Sequence, residues 1–174
     1  MGKLDIDSRS RAEKFSHYIL KRWFISAIKT TWKLTHNPVI ARMAAEDAGR
    51  KIFDDLIEKQ ETWTPELWIE AVKKCIDTLC DVETEFLMTN DAHIKMNVKQ
   101  CFFPDVMKED RFATCSFCYG TWGAIFKKAF PKGELLLSEL ISKGASCCEF
   151  GFLRSPSEED ILQASADLRR MFLK

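Results

Sequence analysis

Five of the seven cysteines, Cys101, Cys115, Cys118, Cys147 and Cys148, fall in one stretch of the C-terminal half, and the first 74 residues contain none. A thiol becomes a nucleophile, a metal ligand or a redox partner only where its surroundings favour the thiolate. Two chemistries suit such a cluster. Thiolates at about 2.3 Å from a common point would hold zinc, and a single activated thiol would attack an electrophilic carbon. Cys115 and Cys118 are three apart on a predicted helix, on the face that also carries Trp122. Cys148 falls on the inward face of a predicted strand and Cys101 at the end of another. Cys101, Cys115, Cys118 and Cys148 are therefore the candidate zinc set. A single C-x2-C without a second spaced pair is a weak zinc signature, and a free cysteine often packs as a small apolar residue. Cys75, on an apolar helix face, and Cys80 are assigned to packing or chance. His17, His36 and His93 form no metal-spaced pair, and Glu149, beside Cys148, is the candidate general acid or base.

The elements that must position these residues follow from periodicity. Ser10 and Glu13 have capping-box spacing, and Phe15, Ile19, Trp23 and Ala27, flanked by Leu20, Phe24, Ile28 and Trp32, give a broad apolar helical face. Asn37-Pro38 opens a second helix with Ile40, Met43, Ala44, Ile52, Phe53, Leu56 and Ile57. Thr64-Pro65-Glu66 opens a third, with Trp68, Val72, Cys75, Ile76 and Leu79 inward. The period then drops to two. Val82 to Met88 and Ile94 to Val98 alternate around Thr89-Asn90-Asp91, which predicts a β-hairpin. Phe112 to Phe130 returns to helical spacing after a polar loop. A second extended pair runs over 134–142 and 147–154, with Cys148, Phe150 and Phe152 on one face and Cys147, Glu149 and Gly151 on the other. Ser157 to Asp160 caps a last helix with Ile161, Leu168, Met171 and Phe172 inward. The expected fold is α+β: three N-terminal helices, then a ββ-α-ββ antiparallel sheet and a C-terminal helix. It forms one domain over 1–174, with a helical front at 1–80 and a cysteine-rich core at 81–174.

Composition narrows the function classes. With 26 basic and 26 acidic residues, the chain has no global field to gather nucleic acid or an anionic membrane. No apolar run approaches the roughly 20 residues of a membrane span. The charged start of the chain lacks the apolar stretch of a secretory signal, so the thiols are expected to be reduced in the cytoplasm. Wide apolar helix faces suit a homodimer, and Trp and Phe stripes suit either a core or the wall of a small-molecule pocket.

Three segments carry a family resemblance: Val98-Lys99-Gln100-Cys101, Cys115-Ser116-Phe117-Cys118-Tyr119-Gly120-Thr121-Trp122, and Gly144-Ala145-Ser146-Cys147-Cys148-Glu149-Phe150. Together, over about residues 93 to 153, they resemble the L-2-amino-thiazoline-4-carboxylic acid hydrolase family. The closing Gly-x-x-x-Cys-x-Phe looks like that of 4-vinyl reductase domains, which are small-molecule-binding modules. The resemblance implies a hydrolase that opens a cyclic amidine thioether. A cysteine would attack the electrophilic carbon, with Cys118 and Cys148 as functional thiols, Cys101 and Cys115 assisting and Glu149 as acid or base. The alternative it implies is a non-catalytic binding or sensor module with a cysteine zinc site. One departure stands out: family members carry an acidic residue shortly after the helix cysteines, whereas Tyr119-Gly120-Thr121-Trp122 offers none.

Overall fold

The computed structural model describes residues 26, 27, 30, 38–79, 82–109 and 111–172. The chain divides into two compact units, Met1–Asn37 and Pro38–Lys174, and the architecture below is that of the second. Its elements are α1 (Pro38–Leu56), α2 (Pro65–Leu79), β1 (Thr84–Asn90), β2 (His93–Val98), α3 (Pro104–Glu109), α4 (Arg111–Ala129), β3 (Glu134–Glu139), a 3-10 turn (Ile141–Lys143), β4 (Cys148–Leu153) and α5 (Glu158–Phe172). This is an α+β fold, but it corrects the expected order. Two helices with defined bounds, not three, precede the sheet among the described residues, the first beginning at Pro38; residues 26, 27 and 30 are also helical. The helix expected from Phe15 to Trp32 lies, apart from residues 26, 27 and 30, outside the described residues. Two helices rather than one separate the hairpins. The segment expected to be a polar loop is α3, started by Pro104, whose fixed φ suits a first helical position. Six residues with three charges are too few to display an apolar period, so the sequence pattern concealed it.

The start of α2 is built as the sequence suggests, while the Asn37 cap expected for α1 lies outside the described residues. Thr64 Oγ1 accepts the Leu67 N–H at 3.3 Å, an N-cap ahead of Pro65. Trp68, Val72 and Ile76 then line one buried stripe of α2. Trp68, with none of its surface exposed, meets the rings of Phe86, Phe126 and Phe152 at 6.2, 5.1 and 4.8 Å. On α1 the buried line is Ala45, Gly49 and Phe53, continued by Ile57. Ile40, Met43 and Leu56, apolar residues of the same helix, are exposed. Among the described residues α1 packs chiefly on α4, so only one side of its apolar residues is covered.

That contact is close. A Cβ on Gly49 would stand 2.4 Å from the Thr121 carbonyl oxygen, and one on Gly120 would stand 2.8 Å from Ala45 Cβ. The Thr121 hydroxyl donates to the Ala45 carbonyl at 3.3 Å across the same crossing. Glycine at these points lets two helix backbones approach nearer than any side chain allows. α4 is consequently buried nearly all round, with α1 on one side and the sheet on the other.

The sheet order is β1-β2-β4-β3, all neighbours antiparallel. The last strand thus enters between β2 and β3, opposing Val98 to Cys148 and Met96 to Phe150. Ile94, Met96, Val98, Leu135, Leu137, Phe150 and Phe152 form the inner face under α4 and α2. At the β1–β2 turn, Asn90 Oδ1 accepts the Ala92 N–H at 2.9 Å. α5 opens with reciprocal capping: Ser157 Oγ accepts the Asp160 N–H at 3.2 Å while Asp160 Oδ2 accepts the Ser157 N–H at 2.8 Å. Ile161, expected inward on that helix, is exposed, and Ala164 is the buried residue.

The glycine contact gives a test whose sign opposes intrinsic propensity. Alanine for glycine inside a helix ordinarily stabilises by up to about 1 kcal/mol. Gly49→Ala is expected to destabilise by about 1–3 kcal/mol, because its methyl meets backbone that cannot swing away. Urea unfolding of the two proteins measures it. A variant as stable as the parent would show that the helices are not in this contact.

Candidate functional site

Four of the five clustered cysteines meet. Cys101, Cys115, Cys118 and Cys148 line one cavity of about 20 Å³, closed by Val98, Leu140 and Phe150. The topology explains how. Cys101 lies three residues beyond the end of β2, Cys148 begins β4 beside it, and α4 lays Cys115 and Cys118 across the inner face. Cys147, its direction reversed by the pleat, is not among the lining residues. Each of three sulfurs has a local partner. Cys101 Sγ accepts the Phe103 N–H at 3.4 Å, Cys148 Sγ accepts the Ile141 N–H at 3.4 Å, and Cys115 Sγ stands 3.2 Å from Ser142 Oγ.

The electrostatics of this cluster keep the protons on. Burial pushes the Cys148 thiol up to about 11, and its neighbours Cys115, Cys101 and Cys147 push the same way, against the Ile141 amide. Burial also raises Cys101, Cys115 and, most strongly, Cys118, which has Cys101, Cys115 and Cys148 as like-charged neighbours. The counter-effects, an amide N–H at Cys101 and the Ser142 hydroxyl with the more distant Arg111 and Lys143 charges at Cys115, are weaker. At neutral pH these are thiols. The six described cysteines are all free, and no three His, Cys, Asp or Glu side chains among the described residues are arranged to hold a metal ion. The four sulfurs share a cavity without forming a zinc-ligand set, and its volume has room for about one water.

Glu149 is elsewhere. The strand turns it to the outer sheet face, where its carboxylate accepts from Lys95 Nζ at 3.0 Å and from Ser138 Oγ at 2.9 Å. Burial raises its pKa, but those two hydrogen bonds and the Lys95 charge outweigh it and hold the carboxyl below its usual range. It is an anchored anion with the sheet between it and the sulfurs. His93 begins β2 on that same outer face, its Nε2 3.1 Å from where a Gly151 Cβ would stand.

The neighbouring feature is an apolar cleft that the cysteine pattern did not announce. About 130 Å³ in volume, it opens between α1, α2 and α4, with Ile57, Val72, Ile76, Phe102, Trp122 and Ile125 among its walls. Phe102 packs on Trp122 at 5.4 Å, and Phe103 meets Phe117 edge-on at 5.6 Å, so the turn after β2 forms one side. Cys118 and Phe102 line both cleft and thiol cavity. The signal in the sequence was Cys101-Phe102-Phe103-Pro104, an apolar run where a strand ends and a loop was expected.

Comparison with known proteins bears on this geometry only at the level of architecture. No protein-family model and no curated protein matches the chain. One similar solved structure is a trafficking protein particle complex subunit 3 from Naegleria fowleri, covalently bound to palmitic acid. It is 10% identical with a TM-score of 0.59, over 80% of this chain and 95% of that one. The likeness is one of fold. No helix among the described residues is long and apolar enough to cross a membrane.

The raised thiols carry two measurable consequences. At pH 7.5, iodoacetamide should modify Cys118 and Cys148 at least about tenfold more slowly in the folded protein than in urea, with rates rising towards pH 11. A thiol whose folded pKa lies above its unfolded value, about 8.5, stabilises the fold fully at lower pH. That contribution is lost as pH rises through about 11. Stability should therefore fall over this window, and less steeply in Cys148→Ala. Equal alkaline slopes for the two proteins would refute the assignment.

Proposed function

We propose that the chain is a small-molecule-binding module, and that the apolar cleft between α1, α2 and α4 receives a compact hydrocarbon or aromatic group. The observation that carries this reading is the cleft itself: about 130 Å³, walled almost wholly by apolar side chains and bordered by the thiols of Cys75 and Cys118. A dry cavity of about 150 Å³ in an unrelated protein is large enough to hold benzene. Pockets of this type take their affinity from apolar walls and their orientation from a few polar groups. Here those are Thr121 and the thiols of Cys75 and Cys118. The resemblance to 4-vinyl reductase domains supports the same class of function. So does the fold neighbour in which palmitic acid is bound, since it is an instance of this architecture carrying a hydrocarbon chain. Protonated thiols fit a wall better than they fit a nucleophile, and six unpaired cysteines fit a reducing, cytoplasmic setting.

The convergence of four sulfurs favours a second reading, hydrolysis of an aminothiazoline-type ring by cysteine attack. That chemistry needs a thiolate and room for a ring beside it. Burial works against the first, and a cavity the size of one water works against the second.

Protein-observed NMR with benzene and with n-alkanoic acids of increasing length tests the binding reading. Saturable shifts are expected at amides of α1, α2 and α4, and Cys75→Phe, which fills the cleft, should weaken binding by at least about tenfold while leaving the fold intact. Absence of saturable shifts from every probe would end this reading. Incubation with L-2-amino-thiazoline-4-carboxylic acid should release no new thiol. Release that disappears in Cys118→Ser would instead establish the hydrolase.

A further inference from the structure

A second hollow, about 240 Å³ in volume, lies between α1, α4 and the start of β3. Arg42, Glu46 and Arg50 follow one another at intervals of four on α1, so a single line of that helix faces it, with the two arginine backbones about 12 Å apart. Lys127 and Lys128 from α4 and Glu134 from β3 complete the charged rim. Four cations and two carboxylates line it, with Asp54 beside Lys128 and Asp47 near Arg50.

The pairing inside this rim is uneven. Lys127 Nζ is held by both oxygens of Glu134 at 3.0 and 2.8 Å, and Lys128 Nζ by Asp54 at 2.6 Å. Arg42 spends only Nε on Glu46, at 2.6 Å, and its guanidinium stands 5.7 Å from the centre of the Tyr119 ring. Its two terminal amino groups have no hydrogen-bond partner among the described residues. The nearest carboxylate to Arg50, Asp47, is 3.9 Å away, beyond hydrogen-bond reach. The two side chains best shaped to grip an oxyanion by two parallel bonds are thus the two with donors to spare.

The floor is open for a reason that packing does not supply. Gly120 is required by Ala45, but a Cβ on Gly123 would make only ordinary contact with Leu135, at 3.7 Å. Glycine inside a helix costs up to about 1 kcal/mol relative to alanine. What Gly123 provides is space in the hollow.

We infer that this hollow binds a small organic dianion with a carboxylate or phosphate group at each end, one on the Arg42 fork and one on the Arg50 fork. Glu46, its carboxylate held on Arg42 Nε at 2.6 Å, leaves the two terminal amino groups of that side chain for the ligand. At about 30 Å³ per water the space corresponds to about eight waters, so the ligand has on the order of eight to ten non-hydrogen atoms. The site is separate from the apolar cleft and does not depend on it.

Calorimetric titration of the full chain with glutarate and with inorganic pyrophosphate distinguishes the carboxylate from the phosphate form. Saturable binding of at least one is expected, with amide shifts on α1 and α4. Arg42→Gln and Arg50→Gln should each weaken it at least about tenfold, and butyrate, with one charge, should bind more weakly than glutarate by a similar factor. Both arginines are partly exposed, so thermal unfolding should be little changed. Arg50→Lys keeps the charge without the fork and should also lose affinity. The inference fails if neither probe saturates at tens of millimolar, or if either Gln variant binds as tightly as the parent.

Discussion

The close crossing of α1 over α4 is the constraint on which the rest of this structure depends. Gly49 and Gly120 remove the side chains that would hold the helices apart, and Thr121 bonds to the Ala45 carbonyl across the gap. With α1 seated so near, α4 is pressed onto the inner sheet face, where the Tyr119 hydroxyl donates to the Leu135 carbonyl at 2.8 Å. Every feature with functional content uses α4 as a wall. Its Cys115 and Cys118 border the thiol cavity, its Trp122 and Ile125 the apolar cleft, and its Gly123 and Lys127 the charged hollow.

Those three features differ in how their groups are solvated, and that difference decides what each can do. The sulfurs sit where burial penalises the anion, so proximity does not translate into reactivity: four thiols together raise one another. The cleft beside them has almost nothing to desolvate, which is the condition under which an apolar group binds well. The charged hollow stays open to water, and its two arginines retain unused donors. Glu149 illustrates the same principle on the outer sheet face, where a lysine and a hydroxyl fix it as an anion remote from the thiols.

Much of the fold was legible because strong local signals wrote it. Thr64-Pro65 capped α2 as its residue types require, and Ile94, Met96 and Val98 alternated into the sheet as the pleat demands. Cys148 pointed inward and Glu149 outward for the same reason. α3 escaped because six residues cannot show a period, and Ile40, Met43 and Leu56 are exposed on α1 because hydrophobic spacing cannot say which side a neighbour will cover. Ile161 was misplaced in the same way, its apolar character outweighing the fact that α5 buries Ala164.

Residue types and their spacing determined which atoms share a face: Cys115 with Cys118, Cys148 with Phe150, Arg42 with Glu46 and Arg50. These relations lie within one element and need only its pitch. Tertiary structure alone decided that β4 would enter between β2 and β3, bringing Cys148 beside the end of β2, and that α1 would approach α4 closely enough to leave a cleft on one side and a charged hollow on the other. Such outcomes depend on contacts between residues as much as 76 positions apart, as with Thr121 and Ala45, and no periodicity along the chain encodes them.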